Sequence, residues 1–333
     1  MIPTKSIPAL ILLIVFFSDC SKYVGPVFKD PVKSEAVRVL SDLSNIQYGA
    51  NSDTSGNTVP LTLDLYFPPG ATSDGKYPLV MMIHGGTYLN GDKSDLTSYC
   101  NILADSGFEV ASINYRVGWR VGNGQCTGDT VSLLQAGYRA LQDANAAMRF
   151  LVYNSEVYAI DTNWIFVGGS SAGSSLALNT SYIPDEIAML TSPAEYKMLG
   201  PVNSAGNDLT NSFKIKGICN MWGALPDSNL ITASSATPTI SFHGTNDMIV
   251  PYDIGYNGSC SNSLKLYGSA CIHRRLLFYN TPVISNFVIG GEHGPAVYTP
   301  EFLMSNTACF FNRLVRGTPI SSEIYTTLVS SCN

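Results

Sequence analysis

Hydrophobic and polar positions along this chain change period several times, and the changes mark out alternating strands and helices. Leu61-Thr62-Leu63-Asp64-Leu65-Tyr66-Phe67 alternates with period two, which predicts a half-exposed strand stopped by Pro68-Pro69-Gly70. Pro78 to His84 is a nearly continuous apolar run ending in Gly85-Gly86, the pattern of a buried parallel strand. A helix from Leu96 to Ala104, ended by Gly107, leads into a strand from Phe108 to Tyr115. Residues 116–130 are rich in Gly and polar groups and predict a loop. A long helix follows from about Val131 to Val157, with Leu134, Tyr138, Leu141, Met148 and Leu151 as its buried stripe. Strands are expected at Trp164–Val167, Phe213–Met221, Thr237–Phe242 and Val283–Ile289, and a closing helix at Glu301–Arg316. Strand and helix alternate from residue 78 onward, which predicts an α/β fold with a mostly parallel central sheet covered by helices on both faces.

The domain organisation expected from this pattern has three parts. Residues 1–20 read as a targeting signal: Lys5 gives a positive start, and Ile7 to Phe17 is a short apolar run broken by Pro8. Phe17-Ser18-Asp19-Cys20 is similar to a bacterial lipoprotein signal, although Asp19 stands where a small residue is expected. Lipid anchoring at Cys20 and simple secretion therefore both remain open. Residues 21–60 are polar and read as a leader with an edge element. Residues 61–333 read as one domain, in which 181–213, with scattered Pro, Gly and Asn, could form a small cap.

Composition narrows the function. The 333 residues are 45% hydrophobic but only 13% charged, against a usual quarter, so Asn, Ser, Thr, Tyr and Gly cover the surface. That balance favours an extracytoplasmic protein. Net charge is −6, and no basic cluster exceeds the pair Arg274-Arg275, which argues against a nucleic-acid partner. An exported chain permits disulfides. Among the 8 cysteines, Cys260 with Cys271 is the best local pair, Cys100 with Cys126 a second, and Cys309 with Cys332 a third. Cys219 lies in an apolar run and reads as a buried thiol. No Cys-x-x-Cys pair is present and the four histidines are far apart in sequence, so neither a metal nor a cofactor is expected.

The chemistry concentrates at strand ends. Ile165-Phe166-Val167 runs into Gly169-Ser170-Ser171-Ala172-Gly173, a Gly-x-Ser-x-Gly turn followed by a helix-compatible run. Such a turn lifts the central hydroxyl, here Ser171, clear of the sheet as a nucleophile. The nucleophile needs a base, an orienting carboxylate and donors for an oxyanion. His293 follows the last strand between glycines and is the expected base. Asp247, in His243-Gly244-Thr245-Asn246-Asp247, is the expected acid, with Asp253 and Glu292 as competitors. The glycine pair after His84 predicts that the N–H groups of Gly86 and Gly85 join that of Ala172 as oxyanion donors. His243 reads as a brace for the acid loop, His84 as an organiser of its own loop, and His273, beside Arg274 and Arg275, as a surface residue.

Together these motifs resemble the carboxylesterase/lipase branch of the α/β-hydrolases, in particular the hormone-sensitive-lipase-like and type-B-like esterases. The resemblance rests on His84-Gly85-Gly86, Tyr115-Arg116, Asp143, Gly169 to Gly173, and the pattern from His243 through Asp247 to Pro251, in that order. Thr87 stands where many members have a third glycine, and the Ala-Pro-Glu run usual after Tyr-Arg is missing from 116–130. The resemblance implies a serine carboxylic-ester hydrolase of bacterial, secreted or periplasmic type, acting on small-molecule or polysaccharide-borne esters. A serine peptidase or amidase, and a silent binding protein on the same fold, are the rival readings. Acyl groups of about two to four carbons are expected, because the sequence shows no extended apolar cap and each methylene gains about 0.8 kcal/mol only where a groove receives it. Tyr88, Trp119, Trp222 and Tyr252 are candidate aromatic walls, and Arg116, Arg120, Asn123 and Gln125 a polar rim.

Overall fold

The computed structural model describes residues 37–124 and 126–330. The expected signal, residues 1–20 with Cys20, lies outside them. From the amino end come β1 (Leu43–Ser52), β2 (Thr58–Tyr66), β3 (Tyr77–Ile83), α1 (Thr97–Asp105) and β4 (Glu109–Ile113). Next are α2 (Thr130–Tyr153), α3 (Ser155–Tyr158), β5 (Ile160–Ser170), α4 (Ala172–Tyr182), α5 (Asp185–Thr191) and α6 (Pro193–Leu199). The remainder is β6 (Ile215–Met221), β7 (Thr239–Gly244), β8 (Ile254–Tyr256), β9 (Lys265–Tyr267), α7 (Ser269–Phe278), β10 (Val283–Val288), α8 (Pro300–Val315) and β11 (Glu323–Tyr325).

Nine strands form one sheet in the order β1-β2-β4-β3-β5-β6-β7-β10-β11, and β8 pairs with β9 apart from it. The pairings β1–β2 and β2–β4 are antiparallel and the others in the large sheet are parallel. β3 shows how sequence alternation feeds both faces. Leu79, Met81 and Ile83 enter a core shared with Leu141 of α2, Leu176 of α4 and Ile272 of α7. Val80 and Met82 point the other way, into a core with Leu103 of α1 and Phe310 of α8. All five β3 side chains are fully buried, each worth about 1.5–3 kcal/mol of transfer free energy.

Several expectations need correction. The sheet starts well before residue 61, because β1 pairs with β2 and the boundary placed at 61 cuts through β2. β2 is buried on both faces over Leu63 to Tyr66 rather than half-exposed, since it lies between β1 and β4. Leu134 is 39% exposed while Leu133, Tyr138, Leu141, Met148 and Leu151 are buried, so the inner stripe of α2 starts on Leu133 rather than on its neighbour. The segment 181–213 contains α5 and α6.

The disulfide expectation also changes. Cys126 pairs with Cys260 across 134 residues, leaving Cys100 and Cys271 as buried free thiols. Proximity of Cys260 and Cys271 in sequence did not bring their sulfurs together; the loop before α2 folded onto the loop before β9 instead. Cys219 is a buried thiol as expected. Cys309 is disulfide-bonded, and its expected partner Cys332 lies outside the described residues.

Candidate active site

The chain proceeds from β3 to β4 on one side and returns to place β5 on the other side of β3, so the sheet order reverses there. Ligands of open α/β sheets collect beyond the carboxyl ends of strands at such a switch point. The loops carrying Gly85 and Ser171 leave from it.

Ser171 links β5 directly to α4 with φ 56° and ψ −119°, an uncommon conformation for a residue with a side chain. The turn fits only because its neighbours are small. A Cβ on Gly173 would stand 2.1 Å from the Ile83 carbonyl oxygen, and one on Gly169 would stand 2.5 Å from the backbone of Gly173. The Ser171 N–H donates to the Met221 carbonyl at 3.0 Å, which ties the elbow to β6.

The three residues singled out at strand ends meet. Ser171 Oγ lies 2.8 Å from His293 Nε2, and His293 Nδ1 lies 2.7 Å from Asp247 Oδ2. The side chain of Asp247 is fully buried and that of His293 is 23% exposed. Asp247 Oδ1 accepts from the N–H groups of Ile249 at 2.8 Å and Val250 at 2.9 Å. Burial pushes the Asp247 carboxyl up, but hydrogen bonds from His243 and His293 and the attraction of both rings outweigh it and hold the group well below the usual carboxylate range. Asp253 is engaged elsewhere: its carboxylate bonds Arg274 and accepts from the Cys271 thiol at 2.9 Å. Glu292 is exposed.

The oxyanion loop is organised by its neighbours. His84 is buried, its Nδ1 lies 2.7 Å from the Gly85 carbonyl, and its ring stacks on Tyr115 with centroids 4.3 Å apart. Burial lowers its basicity. The Tyr115 hydroxyl donates to the carbonyls of His84 at 3.0 Å and Gly85 at 3.2 Å. With its carbonyls anchored on one side, the loop brings the backbone of Gly85 close to Ser171; a Cβ on Gly85 would stand 3.3 Å from that of Ser171. Gly86 turns at φ 102°, and its carbonyl accepts from Leu89 and Asn90. The Ala172 N–H is at the first position of α4, where no intrahelical acceptor exists. The Tyr88 hydroxyl donates to the Ala172 carbonyl at 3.1 Å, a link between oxyanion loop and elbow that no sequence motif announced.

An apolar cavity of about 180 Å³ opens beside Ser171, walled by Leu133 and Leu141 of α2, Ile183 after α4, Ile249 and Val250 of the acid loop, and Leu266. The expectation that no apolar groove exists is thereby corrected. In its wall Leu141 belongs to the apolar stripe legible in α2, whereas Ile249, Val250 and Leu266 come from short segments of the acid loop and β9 that carry no helical period. Tyr88 lines it, whereas Trp119 belongs to a separate cleft beside the disulfide and Tyr252 packs on Phe287. Trp222 stands edge-on to His293. Arg116 is not a rim residue: it is buried and bonded to Asp143 through its Nε, Nη2 and backbone N–H. Arg120 pairs with Asp129, and Gln125 lies outside the described residues. His273 is buried against Ser285 at 2.9 Å rather than on the surface, because α7 turns it toward β10 while Arg274 faces out. A larger cleft, of about 810 Å³, opens near the amino ends of β6 and β7 around Arg149 and Trp164 and contains none of these residues.

Comparison with known proteins finds esterases. The chain is 34% identical over 137 residues to Esterase E4 of Myzus persicae, covering 40% of this chain and 24% of that protein. It is 28% identical over 179 residues to the ethyl acetate hydrolase of Pseudomonas putida, covering 52% and 48%. It thus spans less than half the length of either relative. Among solved structures, a truncated carbohydrate esterase from gut microbiota matches with a TM-score of 0.58 at 18% identity, over 84% of this chain and 97% of that one. Apo esterase 2 of Thermogutta terrifontis matches with a TM-score of 0.59 at 16% identity, over 86% and 98%. These structural likenesses establish the α/β-hydrolase fold. The BD-FAE family model matches residues 63–232, just over half of the sequence, and the chain belongs to the BD-FAE family.

Proposed function

We propose that this protein hydrolyses carboxylic esters of small acyl groups through an acyl-enzyme on Ser171. The observation that carries the reading is the hydrogen-bonded chain Ser171–His293–Asp247 at the mouth of an apolar cavity. His293 takes the Ser171 proton as Oγ attacks the ester carbonyl, and Asp247 holds the ring with Nδ1–H toward its carboxylate. The N–H groups of Gly86, Gly85 and Ala172 receive the negative oxygen of the tetrahedral intermediate. His293 returns the proton to the departing alcohol, and water then repeats the sequence on the acyl-enzyme. The names of the relatives, an esterase and an ethyl acetate hydrolase, support this reaction class.

The cavity sets the acyl size. An apolar cavity of about 150 Å³ takes up benzene, so the space beside Ser171 suits an acyl group of up to about six carbons. The alcohol side of the substrate is a small alcohol or a carbohydrate, the latter supported by the carbohydrate esterase among the structural neighbours. The Cys126–Cys260 disulfide supports an exported, oxidising location. The test is a kcat/KM series on p-nitrophenyl esters from acetate to decanoate, with Ser171→Ala as control. Loss of all turnover in the variant and a maximum at or below six carbons, as expected from the cavity, agree with the reading. Full activity in Ser171→Ala overturns the mechanism, and a maximum at the longest chains overturns the size assignment.

A further inference from the structure

Asp247 carries one more donor than a serine–histidine–carboxylate chain requires. His243, in β7, places Nε2 3.1 Å from Asp247 Oδ2, the same oxygen that faces His293, and 3.1 Å from the Val250 carbonyl. Both facing atoms are acceptors, so Nε2 carries the proton. On the other side of the ring, Nδ1 lies 2.7 Å from Ser269 Oγ. That hydroxyl accepts from Asn220 Nδ2 at 2.9 Å, and the same amide donates to Ser241 Oγ at 3.1 Å. Asn220 Oδ1 accepts from Ser174 Oγ at 2.6 Å and from the Gly223 N–H at 3.0 Å. His243, Ser269, Asn220, Ser241 and Ser174 are all 0% exposed. Ser269 donates to Nδ1, and the network runs from the acid loop to Ser174 of α4, three residues after Ser171. With two imidazole donors on Oδ2 and two backbone donors on Oδ1, the lone pairs of Asp247 are filled.

We propose that His243 is a positioning residue for the reaction. By donating to the oxygen that His293 also uses, it weakens Asp247 as an acceptor from His293, so removing it is expected to move the acid limb of activity to higher pH. The proposal rests on the ester-hydrolase reading. The titratable groups beside the pair are Tyr252, whose ring meets His243 edge-on, Tyr298 from the segment before α8, and exposed Glu292 next to His293; Cys271, two residues beyond Ser269 on α7, donates to Asp253 instead. Burial pushes both tyrosines and the Cys271 thiol up, away from the neutral range.

The test is the rate at which a fluorophosphonate labels Ser171 as a function of pH. His243→Asn keeps a polar partner for Ser269 but is too short to reach Asp247. His243→Gln restores a donor near the Nε2 position, and Ser269→Ala removes the brace while leaving the donor. The acid limb is expected to move up by about half a pH unit or more in His243→Asn, and to stay in place in His243→Gln and Ser269→Ala. An unmoved limb in folded His243→Asn overturns the proposal, as does an equal shift in Ser269→Ala, which would mark a merely structural role. Should His243→Asn fail to fold, proton NMR of the ¹⁵N-histidine-labelled wild-type protein decides: a downfield N–H resonance assigned to His243 Nε2 is expected beside that of His293 Nδ1, and its absence overturns the assignment. Absence of labelling in the wild type would instead sink the ester-hydrolase reading itself.

Discussion

The two ends of the sheet treat a buried carboxyl group in opposite ways. At the carboxyl end, Asp247 follows β7 and accepts four hydrogen bonds, and its proton is released far below the usual range. At the amino end, Glu109 opens β4 with 0% exposure, neither of its oxygens has a hydrogen-bond partner among the described residues, and burial alone pushes its carboxyl up to about 9. Asp143 stands between them. Burial raises its carboxyl, and the bonds and charge of Arg116 oppose that rise. Desolvation is common to all three, so what separates them is the number of donors that reach the charge. The polar network gathers around the proposed site, and the acid without a hydrogen-bond partner lies at the other end of the sheet.

The largest effect should come from breaking the well-partnered member. Asp247→Asn is expected to lower kcat on p-nitrophenyl acetate by about 10⁴-fold, because an amide cannot hold the productive imidazole tautomer. Asp253→Asn should leave kcat nearly unchanged, since Asp253 is bound to exposed Arg274. Equal losses in both variants would show that the carboxylates had been assigned wrongly.

Arg116→Met sharpens the intermediate case. It strands Asp143, whose side chain is fully buried, and should cost about 3–5 kcal/mol in urea unfolding. Adding Asp143→Leu should recover most of the loss. A cost under about 1 kcal/mol for Arg116→Met alone would mean that Asp143 is already neutral in the folded protein.

The contrast also explains what was legible in the sequence. Ser171, Asp247 and His293 could be picked out because each follows a recognisable apolar strand, and in a parallel sheet those ends converge. The fold class was readable for the same reason, from runs such as Leu79 to Ile83. β1 was not, because its residues are largely exposed and register shifts interrupt its pairing with β2. His273 looked like a surface residue because its sequence neighbours are arginines, but a helix turns consecutive side chains about 100° apart and sent it inward. Pairing of Cys126 with Cys260 depends on two loops meeting in space, which spacing along the chain does not encode. Glu109 passed unremarked inside a strand because a sequence shows a charge type and not its partners.

Glu109 gives the smallest effect and the cleanest sign. The folded protein holds a proton on this carboxyl up to about pH 9, whereas the unfolded chain releases it near 4.5. Its contribution to stability is therefore fully present below about pH 4.5 and is lost progressively as pH rises toward 9. Glu109→Leu removes the titration and fills the same buried site with an apolar side chain. The variant should gain on the wild type by about 1.4 kcal/mol per pH unit within that window, or roughly 2 kcal/mol between pH 5.5 and pH 7. Urea unfolding of both proteins at the two pH values measures this directly, and the comparison is insensitive to how well Leu packs, because any packing difference is the same at both. Stability curves that stay parallel across the two pH values would show that Glu109 finds a donor or water in solution, and the difference drawn between the two ends of the sheet would fail.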